Sequence, residues 1–290
     1  MTPFSRIYVE ISNVCNLKCS FCPEVERTKK VMSASAFAEV AQRIESATVE
    51  VCLHLMGEPL GHPELDRIVD ICEQKQLPIN LTTNGVLLSV ARRDLLMRQV
   101  FRQVNISLHS FEANFGEQDC TPYLKKVFTF TREAFSRRPD LYINFRLWDL
   151  TDTKTLTEKN KLIRASIEKE FEFRFADLQI DLKRKKSHRI VNRLYLHFDS
   201  RFEWPEPTQE LRSTVGTCHG LSHHIGIHAD GTVVPCCLDK EARLSLGNIF
   251  DQRLEDIIAS PRARRMREGF ANRKLVEDLC QRCDYIKRFD

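Results

Sequence analysis

The sequence predicts an α/β fold: a partial (βα)6 TIM-like barrel followed by a small C-terminal α+β domain. Three observations point there. Strand-length segments alternate six times with stretches whose apolar residues recur every three or four positions. The strands carry one apolar and one polar face. Beyond residue 217 the texture changes to a hairpin, short helices and spaced cysteines.

The expected strands are 6–11, 49–56, 77–82, 103–109, 141–148 and 170–175. Between them lie helical spacings such as Phe37/Val40/Ile44, Leu65/Ile68/Cys72 and Tyr123/Leu124/Val127/Phe128/Phe135. Successive β-then-α units argue for parallel strands with right-handed crossovers. Fully buried parallel strands are usually apolar throughout, but these alternate. In the fourth, Val104, Ile106 and Leu108 oppose Asn105, Ser107 and His109; in the fifth, Ile143, Phe145 and Leu147 oppose Tyr142, Asn144, Arg146 and Trp148. With the apolar faces against the helices, the polar faces line an interior cavity. His54, His109, Asn144 and Arg146 are therefore candidate catalytic or substrate contacts, with satisfied polar networks as the alternative for each.

This pattern fades near residue 176, which makes 1–176 the core domain. Residues 177–217 form a linking segment with a basic run at 183–189, a strand-like 193–198 and a proline-bearing loop at 202–207. Residues 218–290 form the second domain. Its hairpin signal is Asp230-Gly231, flanked by 224–228 and 232–235, and helical segments follow at 254–258 and 262–270.

The 290 residues are 42% hydrophobic and 29% charged, with a net charge of +4. This is the composition of a globular protein. The N-terminus lacks the apolar region of a secretory signal, and every apolar stretch is too short to span a membrane, so the expectation is a cytoplasmic protein. In that reducing compartment eleven cysteines are not a disulfide framework. Seven are grouped: Cys15, Cys19 and Cys22 near one end, and Cys218, Cys236, Cys280 and Cys283 near the other. Such grouping reads as metal ligation. Cys52, Cys72 and Cys120 read as packing residues.

The first group has the spacing C-x3-C-x2-C directly after the first strand. Three thiolates from one loop can hold three irons of a [4Fe–4S] cube and leave the fourth open to a ligand. Half of a zinc site is the alternative. Phe21 stands immediately before Cys22, Gly57-Glu58-Pro59 ends the second strand, Thr83-Asn84-Gly85 closes the third, and Ser107 lies in the fourth. In this order the motifs resemble the radical S-adenosylmethionine (SAM) superfamily over residues 6 to about 175. The resemblance implies a catalytic cluster on Cys15, Cys19 and Cys22. It also implies SAM contacts at Phe21 (adenine), Gly57 and Glu58 (methionyl amino group), Ser107 (ribose) and Asn84. A flavodoxin- or ferredoxin-like donor would supply the electron that cleaves SAM to methionine and a 5′-deoxyadenosyl radical, which abstracts hydrogen from substrate.

Cys218, twelve residues, Gly231, four residues and Cys236, with Cys280-Gln281-Arg282-Cys283 further on, resemble the SPASM-type extension of these enzymes. The chain stops seven residues after Cys283, short of the further ligands of a full extension. Four cysteines suffice for one auxiliary [4Fe–4S] cluster, whose full cysteine ligation suits electron transfer; structural zinc is the alternative. Cys237 competes with Cys236 as a ligand, but adjacent side chains diverge on a strand. His223 and His224 read as a solvated pair, and the basic runs 183–189 and 262–267 as solvated faces.

Relatives with SPASM extensions mostly modify peptides or proteins, which favours a peptide or protein substrate. The first strand starts at residue 6, leaving no space ahead of it for a leader-binding module. RNA, suggested by the basic runs, a small molecule, and a non-enzymatic zinc-binding protein are the rival readings.

Overall fold

The computed structural model describes residues 4–151, 155–181 and 184–289. In chain order the elements are β1 (Arg6–Val9), α1 (Ala34–Ile44), β2 (Val51–Cys52), α2 (Leu65–Gln74), β3 (Ile79–Thr83), α3 (Val90–Leu96) and β4 (Phe101–Ser107). There follow α4 (His109–Phe115), α5 (Thr121–Arg137), β5 (Tyr142–Leu150), α6 (Lys161–Phe171), β6 (Ser187–Val191) and β7 (Leu194–Ser200). The last are β8 (His224–Ile227), β9 (Thr232–Val234), β10 (Gly247–Asn248), α7 (Leu254–Ile258), α8 (Pro261–Ala271) and α9 (Asp278–Gln281).

Local chemistry sets these limits. The Ser33 hydroxyl accepts the Ala36 N–H at 3.2 Å and starts α1, which then buries the predicted stripe of Phe37, Val40 and Ile44. Ser89 and Ser260 cap α3 and α8 in the same way, and Pro261 fits the first turn of α8, where no N–H is needed.

Two compact units interleave along the chain. The first comprises Met1–Asn16, Cys22–Ile79 and Phe202–Asp290. Within it β1 pairs in parallel with β2 and with β8, and β8, β9 and β10 continue antiparallel. The Asp230-Gly231 hairpin is present as expected, and Gly231 has φ +88°, a conformation that L side chains rarely adopt. The second unit comprises Leu17–Phe21 and Asn80–Arg201. Its strands run in the order β3-β4-β5-β7-β6, with β4, β5 and β7 parallel and β6 antiparallel to β7.

Two sequence expectations need correction. Residues 170–175 are not the sixth strand. The Glu-Phe-Glu-Phe-Arg-Phe alternation imitates a strand, but Phe171 completes the Ile163/Ile167/Phe171 stripe of α6, and its ring lies 5.4 Å from Phe128 and 5.9 Å from Phe145. The parallel neighbour of β5 is instead β7, so the sheet extends past residue 176 to Ser200. His109 is likewise not the last residue of the fourth strand: β4 ends at Ser107 and His109 opens α4. The alternation in β5 holds, with Ile143, Phe145 and Leu147 buried and Tyr142, Asn144, Arg146 and Trp148 half-buried.

Candidate metal centres

The first cysteine group lies on an excursion pinned at its base. The Met32 N–H donates to the Ile11 carbonyl (2.9 Å) and the Asn13 N–H to that of Lys30 (3.1 Å). The Asn13 side chain adds bonds to the Lys30 N–H (2.8 Å) and the Thr28 carbonyl (3.0 Å). Cys15 and Cys22 are exposed and Cys19 is half-buried. Cys15 and Cys22 belong to the first unit and Cys19 to the second.

In the first unit Gly57 has φ +78°, and a Cβ there would stand 2.2 Å from the Ser12 carbonyl oxygen and 2.9 Å from that of Val14. The Glu58 N–H donates to the Val14 carbonyl at 3.0 Å. The Gly57-Glu58 turn thus lies flat on the backbone leading into Cys15, which only glycine permits. The Glu58 carboxylate, 3% exposed, accepts the Leu60 N–H at 3.0 Å and caps the turn Pro59–Gly61. His54 stands edge-on to Tyr8, 5.6 Å between ring centroids, with His224 5.8 Å away on Tyr8 as well. Burial, aided by Cys237 and Cys52, pushes the Tyr8 phenol well above its ordinary range.

In the second unit Asn114 of α4 holds Cys19. Its Nδ2 donates to Cys19 Sγ at 3.0 Å and its Oδ1 accepts the Lys18 N–H at 2.8 Å. Phe21 joins a three-ring group: His109 and Trp148 lie 4.8 Å from it and stack on each other at 4.4 Å and 15°. The guanidinium of Arg201 lies 5.7 Å from the Phe21 ring and that of Arg146 5.9 Å from Trp148. His109 Nδ1 donates to the Arg146 carbonyl at 3.0 Å, which fixes its tautomer. Burial, together with the charges of Arg146 and Arg201, pushes its pKa down to about 3, so the ring is neutral. Asn84 accepts the Val86 N–H at 3.0 Å and forms a turn at Gly85 (φ +78°). Ser107 is half-buried, paired in register with Arg146. Asn144 donates to Asn105 (2.9 Å), which is also bonded to Asn80, Thr82 and Gln103, a satisfied polar network.

Sequence reasoning missed Asn114 and Arg201, which carry no motif and reach Cys19 and Phe21 only through the fold. Trp148 did leave a signal, since it continues the polar face of β5 after Arg146.

The second group gathers within the first unit. Cys218 and Cys283 lie close enough to both Cys236 and Cys280 to raise their thiol pKa values beyond what burial already does. Burial also raises Cys218, and pushes Cys283 up to about 11. The Gly220 N–H donates to Cys218 Sγ (3.4 Å) and the Leu238 N–H to Cys236 Sγ (3.3 Å). Cys236 and Cys237 follow β9 and do not lie on it, contrary to the strand divergence expected from the sequence; burial, Cys237, Cys218 and Cys283 all raise the Cys236 thiol, and Cys237 also raises the Tyr8 phenol. Among the described residues no three His, Cys, Asp or Glu side chains converge tightly enough to hold a single ion. Four half-buried thiols, two of them receiving backbone N–H groups, are a donor set that a positively charged iron–sulfur core would convert to thiolates.

Three features correct or refine the sequence reading here. His224 is half-buried, and burial with the nearby Arg6 charge pushes its pKa down to about 4, so only His223 is solvated. Arg262 is paired with Glu277 at 2.7 Å, so the 262–267 run is not wholly a free face. Lys183 lies outside the described residues, while Cys52, Cys72 and Cys120 are buried packing residues.

Residues 9–137 match the radical SAM superfamily, and residues 218–284 match the SPASM iron–sulfur cluster-binding domain. The chain belongs to the radical SAM superfamily. This radical SAM protein is an enzyme, and its cofactors are SAM and iron–sulfur clusters. A probable GTP 3′,8-cyclase of Methanococcus vannielii is 25% identical over 256 residues, 79% of this chain and 84% of that protein. The antilisterial bacteriocin subtilosin biosynthesis protein AlbA of Bacillus subtilis is 26% identical over 295 residues; the match covers 95% of this chain but 64% of AlbA. The solved structure of Streptococcus suis SuiB bound to precursor peptide SuiA aligns with a TM-score of 0.64 at 16% identity, covering 99% of this chain and 73% of that one. At that identity the likeness concerns the fold, which is the α/β partial-barrel class expected from the sequence. Among the described residues no helix is long and apolar enough to cross a membrane.

Proposed function

We propose that this radical SAM enzyme abstracts hydrogen from a peptide or protein substrate, using a catalytic [4Fe–4S] cluster on Cys15, Cys19 and Cys22 and one auxiliary [4Fe–4S] cluster on Cys218, Cys236, Cys280 and Cys283. The gathering of those four cysteines within one unit carries the two-cluster reading. Bound SAM and the catalytic cluster supply a 5′-deoxyadenosyl radical. The remaining tasks belong to side chains of this chain. Gly57 lets the turn after β2 approach the cysteine loop, and Glu58 and Ser107 present polar groups to SAM. Phe21, backed by His109 and Trp148, offers an apolar face to the adenine, and neutral His109 adds no charge beside it. In this reading residues 1–176 carry the motifs of the catalytic core, β6 and β7 in the 177–217 stretch extend its sheet, and 218–290 form the auxiliary-cluster domain. A flavodoxin- or ferredoxin-like protein is the electron donor, and the cytoplasm the site of action.

The peptide substrate rests on the match to AlbA, which spans 95% of this chain. The GTP 3′,8-cyclase match favours a second reading, a nucleotide or other small-molecule substrate. Anaerobic reconstitution tests the cofactor assignment: about eight irons per chain are expected, four per cluster. Zinc at the C-terminal cysteines rules out the auxiliary cluster. Replacing Cys15, Cys19 and Cys22 together by alanine must abolish 5′-deoxyadenosine formation; persistence of that product refutes the catalytic assignment. Turnover of candidate peptides against GTP separates the two substrate readings.

A further inference from the structure

A buried ionic cluster joins the two cysteine-bearing segments of the first unit, and neither metal site uses it. Glu10, directly after β1, is 0% exposed. Its oxygens accept Arg27 Nη2 at 3.1 and 2.9 Å and the Ala229 N–H at 3.2 Å, and His228 Nδ1 lies 3.5 Å away. Arg27 Nε donates in turn to the Lys240 carbonyl at 2.5 Å. Lys240, 4% exposed, sends Nζ to the Glu24 carbonyl (2.9 Å) and pairs with Glu206 (2.8 Å) and Glu241 (3.0 Å). Glu241 closes the set: one oxygen accepts the Glu26 N–H at 2.9 Å and the other the Arg27 N–H at 3.0 Å.

The arrangement is directional. The backbone of residues 24, 26 and 27, just after Cys22, is held by the side chains of residues 240 and 241, just after Cys236. The Cys236 end is itself fixed, because the Asp239 N–H donates to the Cys236 carbonyl (3.3 Å) and His228 Nε2 to the Asp239 carbonyl (2.9 Å). Buried ion pairs add little net stability compared with apolar packing of similar volume. What this set supplies is a fixed position for backbone that has no strand or helix partner.

We propose that Lys240 and Glu241 are positioning residues for Cys22: the segment anchored at the auxiliary cysteines sets the loop that carries a ligand of the catalytic cluster. The proposal rests on the assignment of Cys22 and Cys236 as cluster ligands made above. Through it the C-terminal domain contributes to SAM cleavage as a structural part of the catalytic loop, independently of any electron it carries.

The test compares the parent with Glu241→Ala, Lys240→Met and Lys240→Arg after anaerobic reconstitution, reading iron content and the low-temperature EPR signal with and without SAM. In Glu241→Ala and Lys240→Met, iron is expected to fall from about eight to about four per chain, and the surviving signal is one that SAM does not alter. Lys240→Arg, which keeps the charge, retains about eight. Full iron content with an unchanged SAM response in both Glu241→Ala and Lys240→Met overturns the proposal. Loss of both clusters together also overturns it, because that marks a general folding role. A parent with no SAM-responsive cluster instead refutes the cofactor assignment on which the proposal stands.

Discussion

The two cysteine groups solve opposite problems. In the first, Cys15 and Cys22 are exposed, three thiols come from eight residues of chain, and an outside side chain, Asn114, donates to Cys19. In the second, four half-buried thiols come from segments up to 65 residues apart, and burial raises all four pKa values. An open site leaves room for a ligand to reach the metal, and a closed one holds the metal with protein alone. The spacing of the open group is written in local sequence. The closed one exists only because the hairpin β8–β9 and the segment around α9 are brought together.

Four expected outcomes sharpen that contrast, the largest first. Replacing Cys280 by alanine should remove about four irons per chain and leave 5′-deoxyadenosine formation in place, as iron analysis beside product chromatography would show. Cessation of SAM cleavage in that variant would mean that the closed site is not separable from the open one. Gly57→Ala puts a Cβ 2.2 Å from the Ser12 oxygen at a positive φ. It should cost about 2–4 kcal/mol and weaken SAM binding, read by denaturant melts and equilibrium dialysis. Asn114→Leu removes the N–H donated to Cys19 and leaves the closed group untouched. A hydrogen bond to a charged group is worth about 1.5–3 kcal/mol, so a chelator should strip iron faster from the first site and at the parent rate from the second.

The smallest effect is on pH dependence. His109 lies against Phe21 and His224 opens β8, with folded pKa values of about 3 and about 4. Both are depressed below the unfolded value of about 6.5. Between these limits the unfolded chain binds more protons than the folded one, so stability is full above pH 6.5 and falls on acidification toward pH 4. Urea midpoints in His109→Gln and His224→Gln should each show a shallower decline than the parent. An unchanged slope in either variant would show that the ring in question is solvated and titrates normally.

Much of the fold was legible because periodicity reports burial. The stripes of α1, α2 and α5 and the alternation of β5 emerged as expected. The failures came where local pattern and tertiary demand diverge. The alternation at 170–175 imitates a strand, yet Phe171 finds better burial against Phe128 and Phe145 by extending α6. His224 looks like one of a solvated pair with His223, but as the first residue of β8 it packs edge-on against Tyr8.

By itself the sequence determined the α/β class, the radical SAM resemblance, the residues of both cysteine groups and the glycine at position 57. Each depends on residue identity at short separation: a thiol spacing, a turn only glycine can take, an apolar stripe. Tertiary structure alone decided that Asn114 reaches Cys19, that Cys236 comes near Cys218 and Cys283, and that Lys240 and Glu241 hold the loop after Cys22. The contacts of Asn114, Lys240 and Glu241 join residues about 95 to 216 positions apart, and nothing in their local spacing distinguishes them from ordinary polar surface. The open and closed cysteine sites are therefore legible as two groups, while the ionic link between them is visible only in the folded chain.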